Sequence, residues 1–155
     1  AGSLNADINI GDLVSSTDLV HHDMNAVAFG YPVGQIPQME TFSFKSDEAL
    51  RKLAVQACRD VNPDIEVFEG RIASGDQFVA DQGVKDEIVK QFDAYAVEME
   101  GAAIAQAAYL NNVPFLVVRA ISDKADGSAE VDYPTFEAQA IRHSVNLMAE
   151  MLRCF

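Results

Sequence analysis

Lysine and arginine are scarce in this sequence: 11 of them stand against 24 aspartates and glutamates, a net charge of −13. Such a surface repels phosphate backbones and anionic lipid, which sets nucleic acid and membrane surfaces aside as partners. Cysteine is nearly absent. Cys58 and Cys154 stand far apart and form neither a CxxC motif nor a disulfide framework. No apolar run reaches membrane-spanning length, and no basic segment followed by an apolar one opens the chain. G-x-G-x-x-G, Walker A and G-x-S-x-G motifs are all missing. His21-His22-Asp23 invites a metal reading, but adjacent side chains diverge and the i, i+4 spacing of a helical zinc site is lacking. No metal and no cofactor is expected. These absences leave a cytoplasmic enzyme or small-molecule binding protein.

What the sequence holds is an ordinary globular composition, 49% hydrophobic and 23% charged over 155 residues. That suffices for one sizeable core, and with no repeat or charged linker residues 1–155 read as one domain. Short strands alternate with amphipathic helices. Residues 12–16, behind Gly11, suit a strand. Residues 21–41 hold Gly30, Pro32, Gly34 and Pro37 with Phe29 and Tyr31, the make-up of a long structured loop, and such loops usually serve function. Ser46 is placed to cap a helix with Asp47 and Glu48 in its first turn and Leu50, Leu53, Ala54 and Ala57 on one face.

Residues 66–73 read as a strand ended by the turn Ser74-Gly75-Asp76. Val84, Ile88 and Phe92 mark a second helix, residues 95–98 a short strand, and residues 101–110 an alanine-rich helix. Residues 114–121 predict a continuous apolar strand covered on both faces. A last helix is expected over residues 135–152, with Phe136, Ala140, Val145, Met148 and Leu152 inward. The alternation implies parallel βαβ units and an α/β sandwich, with ligands gathered at the C-terminal ends of strands. Residues 74–79, 98–100 and 119–123 occupy those ends.

Each of the three carries groups suited to a polar small molecule. An apolar strand ending in Ser122-Asp123 brings a carboxylate to the sheet rim, partly out of water, where desolvation favours the protonated form that a general acid needs. Equally, the pair can simply cap a turn. Glu98 and Glu100 point one way along an extended segment and Met99 the other. A carboxylate there can accept from two sugar hydroxyls while Met99 walls the site, or both glutamates can simply favour a helix N-terminus. Phe78 offers a face for stacking and the Val79 backbone an edge donor and acceptor; a core phenylalanine after a tight turn fits as well.

In order, Ala1-Gly2, Gly11-Asp12, His22-Asp23, Ala28-Phe-Gly-Tyr31, Gly34-Gln-Ile-Pro37, Ser74-Gly-Asp76, Val97-Glu-Met-Glu100 and Val117-Val-Arg-Ala-Ile-Ser-Asp123 resemble the 5′-methylthioadenosine/S-adenosylhomocysteine nucleosidase family over essentially the whole chain. The Glu-Met-Glu and Ser-Asp elements also recur in related nucleoside phosphorylases. The resemblance implies a three-layer α/β/α sandwich of the nucleoside phosphorylase type, here without the N-terminal strands, and hydrolysis of the N-glycosidic bond with release of adenine. It implies that Asp123 serves purine nitrogen 7 as acid, oriented by Ser122. Glu100 would hold the ribose hydroxyls, Met99 pack on the sugar, and Arg119 help position the attacking water. Phe78 would stack on the base, Val79 read its edge, Gly2 lie beside the ligand, and Tyr133 stand near the 5′-substituent. Ala26, Phe29 and Pro37 would reach into a partner subunit's pocket, making a homodimer. The family's water-activating glutamate and a neighbouring hydroxyl residue precede Ala1-Gly2, so a separate N-terminal chain or a truncated product is expected. The alternatives are a nucleoside phosphorylase of the same superfamily and a non-catalytic nucleoside-binding fragment.

Overall fold

The computed structural model describes residues 1–124 and 133–154, without the side chains of 133–135. Its longest strand, β2 (Leu13–His21), organises one mixed sheet with β1 (Gly2–Ser3), β3 (Phe44–Lys45), β4 (Val67–Ser74), β5 (Ala94–Glu98) and β6 (Val118–Ala120). The order runs β1-β5-β4-β2, and the far edge of β2 is shared: β6 pairs along Leu13–Ser15 and β3 along Asp18–Leu19. β2–β4 and β4–β5 are parallel, as the alternation predicts, whereas β1, β3 and β6 run antiparallel to their neighbours. The sheet is therefore mixed rather than wholly parallel. Beside a shift in the β2–β4 register, Arg71 forks onto Asp18 through Nε (3.0 Å) and Nη2 (2.7 Å). Burial pushes the Asp18 carboxyl up, but the bonds from Arg71 and Ser43 and the Arg71 charge outweigh it and hold it below its ordinary value.

Helices α1 (Glu48–Val61), α2 (Gln82–Phe92), α3 (Gly101–Leu110) and α4 (Tyr133–Arg153) cover both faces. Neighbours on a strand point to opposite faces. Val14, Leu19, Ile72 and Ala96 pack with Ala102 and Ala105 of α3. Leu13 packs with Ala54, Ala57 and Cys58 of α1 and Leu147 and Met151 of α4, while Val20, Ala73 and Val97 meet Ile88 and Phe92 of α2. So α3 lies on one side and α1, α2 and α4 on the other, the expected three-layer α/β/α sandwich. No helix among the described residues is long and apolar enough to cross a membrane.

Four local expectations need correction. Asp47, not Ser46, caps α1, accepting from Leu50 N at 2.9 Å; Ser46 N still bonds the Thr17 carbonyl at the sheet edge. In α2, Val84 is exposed and Lys85 takes the inward place. The strand expected over residues 114–121 shrinks to β6, because β2 is its single ladder partner. Upstream, Val117 N bonds the Ser16 hydroxyl and the Phe115 carbonyl takes Asp47 N, so these residues are tied down without a ladder. An open groove of about 500 Å³ runs along them between Leu13, Leu50, Ile104 and Leu147. In α4, the inward stripe continues from half-buried Phe136 and Ala140 to His143, Leu147 and Met151, leaving Val145, Met148 and Leu152 exposed. Buried Asn62, donating to the His143 carbonyl at 3.0 Å, holds that face against α1.

Candidate active site

Parallel β4 and β5 end side by side, at Ser74 and Glu98, and antiparallel β1 carries Gly2 against Val97. The chain leaving β6 then runs past β1: Ser122 N bonds the Ala1 carbonyl (2.8 Å) and Ser3 N the Asp123 carbonyl (2.9 Å). These ends enclose a hollow of about 340 Å³. Eight of the expected residues line it: Gly2, Phe78, Val79, Met99, Glu100, Arg119, Ser122 and Asp123. Four do not. Ala26, Phe29 and Pro37 belong to the loop after β2, where Ala26 is buried and Phe29 is 83% exposed, and none of them lines this hollow. Tyr133 opens α4, and its side chain lies outside the described residues.

The carboxylates divide into two groups. Glu98 is buried and saturated: it accepts from Ser74 Oγ, from Arg119, and from Gly101 N at 2.9 Å to each oxygen. Ser74 Oγ in turn accepts from Ala102 N at 2.7 Å, so two strand ends and the start of α3 are tied at one point. A Cβ on Gly101 would stand 2.7 Å from Leu19 Cδ2 and 3.0 Å from Glu98 Oε1, which explains glycine there. Glu100 stands at the N-cap position of α3 without a side-chain capping bond, and its exposed carboxylate accepts from Arg119 Nη2 at 3.1 Å. Met99 lines the hollow with its neighbours because the extended backbone ends at Glu98, breaking the expected alternation. The buried Nε of Arg119 has no hydrogen-bond partner among the described residues.

Asp123 stands apart from that network. Its Oδ1 accepts from Ser122 Oγ at 2.9 Å and its Oδ2 from Lys85 Nζ at 3.0 Å. Gly2 passes so close that a Cβ there would come within 3.0 Å of Oδ2, so a side chain would push into the carboxylate. Phe78 projects from the rim with 82% of its surface exposed, a free aromatic face. The hollow thus offers a carboxylate, a guanidinium, a second exposed carboxylate and a flat apolar ring around one small volume. That set can grip a sugar by its hydroxyls and a heterocycle by its face and edge. Sequence reasoning treated Glu98 as the twin of Glu100, named Ser74 and Gln77 only within the stretch 74–79 without a role of their own, and missed Lys85. For Lys85 a signal existed: with Ile88 and Phe92 it forms an i, i+3, i+7 stripe. Among the described residues no three His, Cys, Asp or Glu side chains converge as metal ligands would.

The family model described as the phosphorylase superfamily matches residues 1–153. A 5′-methylthioadenosine/S-adenosylhomocysteine nucleosidase of Bacillus thuringiensis (strain Al Hakam) is 42% identical over 153 residues, 98% of this chain and 65% of its own length. The chain therefore spans just under two thirds of the curated relatives it matches. The Campylobacter jejuni nucleosidase of the same name superposes with a TM-score of 0.89 at 36% identity, covering 100% of this chain and 66% of its own. A Helicobacter pylori nucleosidase mutant, solved with 5′-methylthioadenosine in its active site, gives a TM-score of 0.88 at 37% identity, covering 100% and 66%.

Proposed function

The chain belongs to the phosphorylase superfamily, and on that premise we propose that its hollow binds 5′-methylthioadenosine and S-adenosylhomocysteine for hydrolysis of their N-glycosidic bond. The observation that carries the reading is Asp123, braced by Ser122, facing the same small hollow as Phe78, Glu100 and Arg119. The 42% identity to a protein named for that activity supports the substrate class.

Cleaving a ribosyl–adenine bond puts positive charge on the sugar and negative charge on the departing base. Asp123 meets the second demand, donating to purine nitrogen 7 so that adenine leaves neutral. Glu100 holds the ribose hydroxyls and, with Glu98, places negative potential beside the developing cation. Met99 packs on the sugar, Phe78 stacks on the base, and the Val79 backbone reads its edge. Arg119, fixed by two glutamates, helps position the attacking water. The loop with Ala26, Phe29 and Pro37, carrying exposed Val27 and Phe29, completes a partner subunit's pocket in a homodimer. We place the reaction in the cytoplasm.

A phosphorylase reading fits less well. Arg119 supplies the one basic side chain among the described lining residues, and both its ion pairs are to glutamates that would repel phosphate. Adenine release from methylthioadenosine, assayed with and without phosphate, separates the two. The hydrolase reading expects equal rates, and a strict phosphate requirement would end it. Asp123→Asn is expected to lower that rate by ~10²–10⁴-fold while adenine still binds, as befits loss of an acid. An unchanged rate removes Asp123 from that role. Phe29→Ala should weaken binding in mixed dimers only at the partner's site.

A further inference from the structure

One charged side chain just outside the hollow is almost wholly enclosed. Lys85 is 4% exposed, and its Nζ reaches both Asp123 Oδ2 and the Lys124 carbonyl at 3.0 Å. Ile88 and Phe92 share its face of α2 and pack into the core. An aliphatic residue would fill that place without desolvating a charge, and lysine is seldom buried unless paired. Among the described residues its one ionic partner is Asp123. The ammonium therefore sits in the core for the sake of that carboxylate. Ser122 binds one oxygen and Lys85 the other, while the Gly2 backbone closes against the second. With both oxygens engaged, rotation of the Asp123 side chain breaks a charge-assisted bond.

We infer that Lys85 is a positioning residue for Asp123, holding the carboxylate in the orientation that meets the purine. The inference rests on the reading of Asp123 proposed above. Lys85→Met keeps the stem and removes the charge. We expect kcat for adenine release to fall ~10–100-fold, with KM nearly unchanged, as a misplaced catalytic group produces. Lys85→Arg should recover part of the rate. A space-filling role alone predicts that methionine works as well as lysine, and a wild-type kcat in folded Lys85→Met overturns the inference.

Calorimetric titration with adenine gives a second reading that needs no turnover. Lys85→Met should weaken adenine about fivefold in the wild-type background and not at all beside Asp123→Asn, because coupled residues lose one shared interaction. Equal losses in both backgrounds also overturn it. Should Lys85→Met fail to fold, Lys85→Arg against Lys85→Gln poses the same contrast of charge at similar size. If Asp123→Asn abolishes turnover while Lys85 variants keep it, only the positioning role falls. If Asp123→Asn itself keeps the rate, the acid reading falls and takes Lys85 with it.

Discussion

The end of β5 and the end of β6 each deliver a carboxylate to the same hollow, but on different terms. Glu98, closing β5, is buried and accepts from a serine, an arginine and the backbone of α3. Asp123, beyond β6, has a side chain 35% exposed, held by one hydroxyl and one ammonium. A carboxylate whose lone pairs are all engaged has none left for a ligand, so Glu98 is a joint between elements. A carboxylate with two donors and an open side can still meet a base. The difference arises in the backbone. β5 runs straight into α3, whose first N–H group donates to Glu98, whereas the described residues after β6, 121–124, are not helical, and Asp123 lines the hollow.

That contrast breaks most visibly at Glu98. Glu98→Ala removes one of the two glutamate partners of Arg119 and frees Ser74 and the start of α3, so it should cost stability as well as activity. Breaking a buried pair costs roughly 3–5 kcal/mol, and the lower end applies because Arg119 keeps Glu100. Urea denaturation measures it; a loss under about 1 kcal/mol would mean that the joint is ordinary surface pairing. Glu100→Ala should do the reverse. Its carboxylate is exposed, so the melting temperature should hardly move, while kcat/KM falls ~10–100-fold through the lost bonds to the ribose. If Glu100→Ala melts early and Glu98→Ala does not, the two roles are exchanged.

Much of this was legible from pattern alone, and the misses share a cause. The span of α3 follows from an alanine-rich run, and the end of β4 from the turn residues Ser74-Gly75-Asp76. The ends of the strands then placed the hollow, because ligand sites follow parallel strand ends. What failed depends on neighbours. Residues 114–117 have the composition of a buried strand but no ladder partner on their open side. In α4, Val145 and Met148 are as apolar as Leu147 and Met151, and the contact with Asn62 on α1 decides which pair faces in. Lys85 was passed over because a lysine in a helix normally reads as solvent-facing, although its spacing to Ile88 and Phe92 says otherwise.

The smallest expected effect lies where β2 meets the turn after β4. His22 is buried there, packed so tightly on Gly75 that a Cβ on the glycine would fall 2.4 Å from its Nε2, which has no partner among the described residues. Burial lowers its pKa from the ordinary 6.5; the Asp23 charge opposes the shift and His21 adds to it. The folded state therefore binds fewer protons than the unfolded chain just below pH 6.5. Stability from neutral His22 is complete above that value and is lost as pH falls through the lowered folded value. One proton sets the steepest slope, about 1.4 kcal/mol per pH unit. Urea midpoints between pH 7.5 and 5 should fall more steeply for the wild type than for His22→Gln, which cannot take up the proton. Matching slopes would mean that the ring gains a proton in place without cost. In that case the turn beside the hollow yields more readily than the joint at Glu98.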